Sequence, residues 1–163
     1  IPMYQQSGQS KAYREKMAYA ALISGITLAQ VGLGSVHGLA SPLGAFYPMP
    51  HGVVCGTLVA SATAVNIKSM LAREPENKAL AKYHHLAEIL CGKTYRDPEA
   101  AYSALTDLLA QWTKELMLPR LSHYGLQKTE VDKVVANSRG SSMKTNPIVL
   151  SDEEIKHILL DRL

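Results

Sequence analysis

The sequence predicts an all-α fold, and three observations carry that prediction. Ala and Leu dominate a chain that is 47% hydrophobic but only 6% aromatic, a composition suited to helices rather than strands. Apolar residues recur at three- and four-residue intervals along most of the 163 residues, which is the period of a helix face. No segment alternates apolar and polar residues with period two over a useful length, so no half-buried strand is predicted. The expectation is about six helices joined by short connections in one helical, bundle-like domain.

The elements follow in order. Residues 1–10 are polar and read as loop, with Ser10 placed to cap a helix starting near Lys11. In that helix Met17, Ala21, Leu22, Ile26 and Leu28 recur at helical spacing, and few charges interrupt the stretch after Lys16. It is therefore expected to be buried on most faces. After His51, Val54, Leu58, Val59, Ala62, Val65 and Met70 line one face of a helix to about Ala72. Pro75 is read as opening the next helix, with Leu80, Tyr83, Leu86, Ala87 and Leu90 apolar. Asp97-Pro98 is an N-cap followed by Pro at the first helical position, and Ala101, Leu105, Leu108, Leu109, Trp112 and Leu116 continue that helix until Pro119 stops it. Thr129-x-x-Asp132 starts a short helix, and Ser151-x-x-Glu154 is a capping box for the last, with Ile155, Ile158 and Leu159 inward.

One segment breaks the pattern. Gly34–Gly52 is rich in Gly and Pro and yet apolar. Pro cannot continue a helix and biases its predecessor towards extended backbone. The segment reads as a shaped connection with a short helix around Val36–Leu39, buried and functional rather than a solvent-exposed tip.

Composition excludes several functions. The net charge is only +3, too small a surplus to argue for nucleic acid or an anionic membrane. No run of about 18 uncharged apolar residues exists, so no membrane span is expected. Cys55 and Cys91 form no CxxC pair. Each is expected to be a small, buried apolar residue in a reducing, cytoplasmic setting. Gly32-Leu33-Gly34 has no third Gly three positions on and follows no strand, so it is not a dinucleotide fingerprint. No phosphate-binding loop and no GxSxG occur. The chain starts without Met and shows no signal peptide, which points to a piece of something longer.

Six histidines remain. His84 and His85 are adjacent and about 100° apart on a helix, so they are expected to be solvated or boundary residues. His123 reads as a cation at a helix C-terminus, and His157 sits beside Lys156 on a polar face. His37 and His51 are different. Each precedes a Gly, and together they bracket the Pro-rich connection. A straight helix would separate them by about 20 Å, but the prolines forbid that path and let the chain fold back. Paired imidazoles suit a divalent metal, and a Gly beside each allows close backbone approach; two satisfied core histidines is the bland alternative. A catalytic metal takes about three protein ligands, usually with a carboxylate. No Asp or Glu lies between Glu15 and Glu74, so the remaining ligands are not local.

The run G-L-G-S-V-H-G-L-A-S-P-L-G-A-F-Y-P-M-P-H-G, residues Gly32 to Gly52, followed by V-V-C-G-T-L-V-A and Asn66, resembles the iron-containing (group III) alcohol dehydrogenases. The upstream A-Y-A-A-L-I-S-G-I-T-L-A-Q resembles the Ala-rich helix that precedes this run in the family. The resemblance is specific over about residues 11–70 and general elsewhere. It implies the helical, metal-binding C-terminal part of a dehydroquinate-synthase-like fold, spanning residues 1–163. It implies that His37 and His51 are two of four protein ligands to a catalytic divalent metal, Fe2+ foremost and Zn2+ as the alternative. The other two, an Asp and a His, belong to an earlier helix that this sequence does not contain. The same holds for the N-terminal α/β domain that binds NAD(P), so no cofactor-binding residue is expected here.

Two departures bear on substrate. Ser41 stands where many members have a second His, near the substrate, and Leu28 stands where an aromatic residue is common. Phe46 and Tyr47 are further candidates for the pocket wall; no catalytic base is assigned. The implied reaction is NAD(P)-linked interconversion of an alcohol and an aldehyde or ketone, with no turnover and weak metal affinity expected of this chain alone. Its partners would be that small molecule, the N-terminal domain and a further copy of the protein through exposed apolar surface. The competing reading is a metal-free helical scaffold.

Overall fold

A computed structural model describes residues 9–163; most of the polar N-terminal loop expected from the sequence lies outside the described residues. Among them there are eight α-helices and no strand. The helices are α1 (Lys11–Val31), α2 (Ser35–Phe46), α3 (His51–Arg73), α4 (Lys78–Cys91), α5 (Pro98–Glu115), α6 (Val131–Ala136), α7 (Ser141–Lys144) and α8 (Asp152–Asp161). Two 3-10 turns, Leu121–Tyr124 and Lys128–Glu130, lie between α5 and α6. The chain divides into two units, residues 1–33 and residues 34–163.

The first unit is α1. The Ser10 hydroxyl accepts a hydrogen bond from the Tyr13 amide, as expected of its cap. The expected burial is not found: α1 has no buried residue, and Met17, Leu22, Ile26 and Val31 are all more than half exposed. The physical reason is that the described residues of this unit hold no second element on which α1 could bury a face.

The second unit is built around α3, which packs against α2, α4, α5 and α8. Leu39 and Leu43 of α2, Val54 and Leu58 of α3, Leu105 of α5, and Ile155, Ile158 and Leu159 of α8 are fully buried. Each contributes roughly 1.5–3 kcal/mol by leaving water. α3 is long and apolar enough to cross a membrane by length and composition, but 67% of its apolar window is buried in the fold. It also carries buried polar residues, Thr57, Ser61, Thr63, Asn66 and Ser69. Three of these bond to distant segments: Thr57 donates to the Pro119 carbonyl at 3.1 Å, Asn66 pairs with Asn146, and Ser69 donates to Glu154.

Several ends form as the sequence predicts. Asp97 Oδ1 accepts from the Glu99 amide at 3.1 Å, and Ser151 with Glu154 completes the capping box. Two expectations are corrected. Pro75 does not open α4; Asn77 does, its side chain accepting from the Ala79 amide at 2.9 Å. The segment expected to be a connection with a short helix is instead a continuous 12-residue helix, α2, with Pro42 inside it. An interior Pro costs about 3 kcal/mol, but α2 buries Ser35, Gly38, Leu39, Ala40, Pro42 and Leu43, and tertiary packing overrides the local preference. The real connection is shorter, Tyr47–Pro50.

Candidate metal centre

The prolines of that connection act as the sequence reading requires, only later in the chain. Tyr47 precedes Pro48 and is extended, and Pro50 is extended before α3 begins. His37 is the third residue of α2 and His51 the first of α3. From His37 to Phe46 α2 rises about 13 Å. An extended return of five Cα steps reaches about 17 Å, enough to bring the start of α3 back beside the start of α2.

It does so: the rings of His37 and His51 lie 5.2 Å apart between centroids, tilted by 54°. A third donor sits with them. Cys55 Sγ is 3.5 Å from His51 Nε2 and 3.8 Å from His37 Nε2, and the donor atoms of the three residues lie within 4.8 Å of one another. Cys55 is one turn after His51 on α3, and residues four apart share a face. His37 and Cys55 are half-buried and His51 is exposed. Burial first, and then the neighbouring His51, hold the His37 pKa below its usual value, which favours the neutral ring with a free lone pair. Burial pushes the Cys55 thiol up.

Two imidazoles and a thiol are soft-to-borderline donors that fit a divalent transition metal. No carboxylate joins the cluster among the described residues, in keeping with the gap between Glu15 and Glu74. Cys55 was missed by the sequence reading, which treated it as a core side chain; its His51-x-x-x-Cys55 spacing on a helix was the available signal.

The glycine beside each histidine divides in role. A Cβ on Gly38 would meet the Ser138 carbonyl oxygen at 3.1 Å and Met143 Cε at 2.9 Å, so α2 packs there as only Gly allows. A Cβ on Gly52 would meet nothing within 4 Å, which corrects the expectation of close approach there. Asn146 Oδ1 accepts from the Ser35 amide at 2.9 Å, satisfying one of the open donors at the start of α2, two residues before His37.

The pocket candidates scatter. Ser41 is exposed, one turn after His37 on α2. Phe46 is 39% exposed, and Lys133 Nζ stands 4.2 Å from its ring centroid. The Tyr47 hydroxyl is buried with no well-formed hydrogen bond; burial first, and the Glu130 carboxylate second, push its pKa up. Both rings are thus engaged with the segment running from Lys128 into α6. Leu28 lies on α1, in the first unit, and is exposed. Of the other histidines, His84 and His85 each reach one oxygen of Glu88, at 3.7 and 3.6 Å. His123 lies in a 3-10 turn rather than at the end of α5, and His157 is exposed on α8.

Comparison with known proteins agrees with this architecture. Residues 1–163 match the sequence profile described as the Fe-containing alcohol dehydrogenase family, C-terminal. The chain is 30% identical over 153 residues to alcohol dehydrogenase 4 of Schizosaccharomyces pombe, covering 93% of this chain and 34% of that protein. It is 30% identical over 159 residues to alcohol dehydrogenase 4 of Saccharomyces cerevisiae, covering 94% and 38%. It therefore spans little more than a third of the length of these relatives. A crystal structure of a 1,3-propanediol oxidoreductase superposes with a TM-score of 0.82 at 25% identity, covering 96% of this chain and 39% of that one. The helices around α3 and the profile that covers all 163 residues lead to the same place: the chain belongs to the iron-containing alcohol dehydrogenase family and corresponds to its C-terminal helical part.

Proposed function

We propose that this chain is the metal-binding part of an alcohol dehydrogenase that interconverts an alcohol and an aldehyde or ketone. His37 and His51 would hold a catalytic divalent cation, Fe2+ or Zn2+, and NAD(P) would be bound mainly by residues outside these 163. The observation that supports the reading is the pairing of the two imidazoles at 5.2 Å, at the residues to which the family resemblance assigns the metal.

The cation's contribution when bound is Lewis acidity, which lowers the pKa of an alcohol oxygen so that hydride can leave the adjacent carbon. The chain's own residues do the rest. The neutral His37 ring presents a lone pair, because burial disfavours its charged form. Asn146 fixes the start of α2, and so the base from which His37 projects. Ser41, exposed one turn from His37, would offer a hydroxyl to accept or donate a hydrogen bond at the substrate, in the position where many family members carry a His.

The test is metal binding by the purified chain and by His37→Ala and His51→Ala, followed by calorimetry with Fe2+ and Zn2+. Each variant should bind at least about tenfold more weakly while keeping the helical circular dichroism of the parent. Equal affinity in all three, with only thermal stability changed, would favour a metal-free helical scaffold.

A further inference from the structure

The donor cluster contains one residue that the two-histidine reading leaves unused. Cys55 Sγ stands 3.5 Å from His51 Nε2 and 3.8 Å from His37 Nε2. A four-coordinate zinc, with bonds of about 2.3 Å to sulfur and 2.0–2.1 Å to nitrogen, sets its sulfur and nitrogen donors about 3.5 Å apart. The first distance already meets that separation and the second needs a shift of a few tenths of an ångström. His51 and Cys55 also sit at positions i and i+4 of one helix, a spacing that points both side chains to one side. The third donor, His37, comes from a helix whose start is fixed by Asn146.

We infer that Cys55 is a third protein ligand of this centre, and that its sulfur biases the site towards a thiophilic metal, zinc rather than iron. The inference rests on the proposed metal-binding role of His37 and His51. Thiolate ligands select zinc among the divalent ions such a site meets, whereas oxygen-rich sets suit harder ions. On binding, a bond forms between sulfur and the metal, and the thiol proton passes to solvent. No electrons are transferred. In the absence of metal the same geometry lets the thiol and the imidazoles contact one another as weak hydrogen-bond partners.

Cobalt(II) reports sulfur ligation without any turnover. The 163-residue chain, reduced and stripped with chelator, is titrated with Co2+ alone, beside Cys55→Ser, Cys55→Ala and His51→Ala. The expected result is a near-ultraviolet thiolate-to-cobalt charge-transfer band in the parent that both Cys55 variants lose, with Zn2+ affinity falling at least about tenfold. Two substitutions of different size guard against a packing effect, since both retain parental circular dichroism if the change is confined to the ligand. Co2+ binding that depends on His51 but shows no charge-transfer band, and is equally tight in the Cys55 variants, overturns the role of Cys55 and leaves the histidine site standing. Absence of any His51-dependent Co2+ binding overturns the histidine site, and this inference with it.

Discussion

The side-chain amides of Asn66 and Asn146 face each other across the second unit and pair through both ends. Asn146 Nδ2 donates to Asn66 Oδ1 at 2.8 Å, and Asn66 Nδ2 donates back to Asn146 Oδ1 at 3.3 Å. Asn146 Nδ2 also donates to the Ile148 carbonyl at 2.8 Å, while its Oδ1 accepts from the Ser35 amide. One amide group thus joins α3, the start of α2 and the strand-free segment before α8.

Asn146→Asp keeps the oxygen that serves Ser35 but turns the donor into a second acceptor. That acceptor then faces two oxygens, Asn66 Oδ1 and the Ile148 carbonyl. The expected cost is about 2 kcal/mol or more, the scale for a buried polar group left unsatisfied. Denaturant unfolding checks it; a midpoint unchanged from the parent would show that the pair contributes no specificity to the fold.

The two glycines that follow the histidines should respond oppositely to alanine. At Gly52 a Cβ has free space, so Gly52→Ala is expected to stabilise by about 0.5–1 kcal/mol through the usual helical preference. At Gly38 the same preference is opposed by the Ser138 carbonyl and by Met143. Met143 Cε can swing aside, but a backbone oxygen cannot, and overpacking costs about 1–3 kcal/mol. Gly38→Ala should therefore lower the thermal midpoint where Gly52→Ala raises it.

Leucine truncation separates the two units. Leu58 is 0% exposed and Leu22 is 62% exposed. Leu58→Ala should cost about 2–5 kcal/mol by opening a cavity in the core. Leu22→Ala should change the unfolding free energy by less than about 0.5 kcal/mol. Comparable losses at both positions would mean that α1 buries its apolar side chains in solution.

Acid should act through Glu154. Burial pushes this carboxyl up, but hydrogen bonds from Arg73, Ser69 and the Ser151 backbone, with the Arg73 charge, outweigh it and bring the pKa down to about 2. A carboxylate held below its usual value of about 4.3 stabilises the fold fully above that pH, and the stabilisation is lost as pH falls through about 2. Glu154→Gln preserves the capping box and removes the charge. The parent's advantage in thermal midpoint over this variant should be greatest near neutrality and close between about pH 4 and pH 2. A gap that does not vary with pH would assign the stability to packing.

The legible parts of the fold were those whose signals are local. Asp97-Pro98 and Ser151-x-x-Glu154 mark real helix starts because the capping atoms lie within three residues. The run around Leu105 reads as a helix because a 3.6 period survives any context. What escaped depends on partners remote in sequence. Pro42 argued against α2, and only packing on α3, α6 and α7 sustains it. Asn77 outcompetes Pro75 as a helix start with help from the Pro147 carbonyl, 3.0 Å from its side-chain amide. The exposure of α1 could not be read from its own apolar residues, which say what the helix would bury and not against what. At the site, the approach of His37 to His51 was legible from two Gly-followed histidines that bracket a Pro-rich connection. Cys55 carried its signal in the one-turn spacing from His51, but a lone cysteine in an apolar helical run is equally a core side chain, and only the return of α3 beside α2 brings its sulfur to the two rings.

The buried polar side chains of α3 have a consequence for the donors at its head. Thr57 is tied to Pro119 and accepts from Arg162 Nε at 2.9 Å, Asn66 is tied to Asn146, and Ser69 is tied to Glu154. These three points index the helix, as notches fix the setting of a dial. A slide of a single residue would shift α3 by about 1.5 Å and turn it by about 100°, and every one of the three ties would break together. His51 and Cys55 would then rotate away from His37. The bearing of the two donors is thus set by residues as far off as Asn146 and Glu154, and substitutions there should be felt in the His37–His51–Cys55 geometry before they are felt in the helix content.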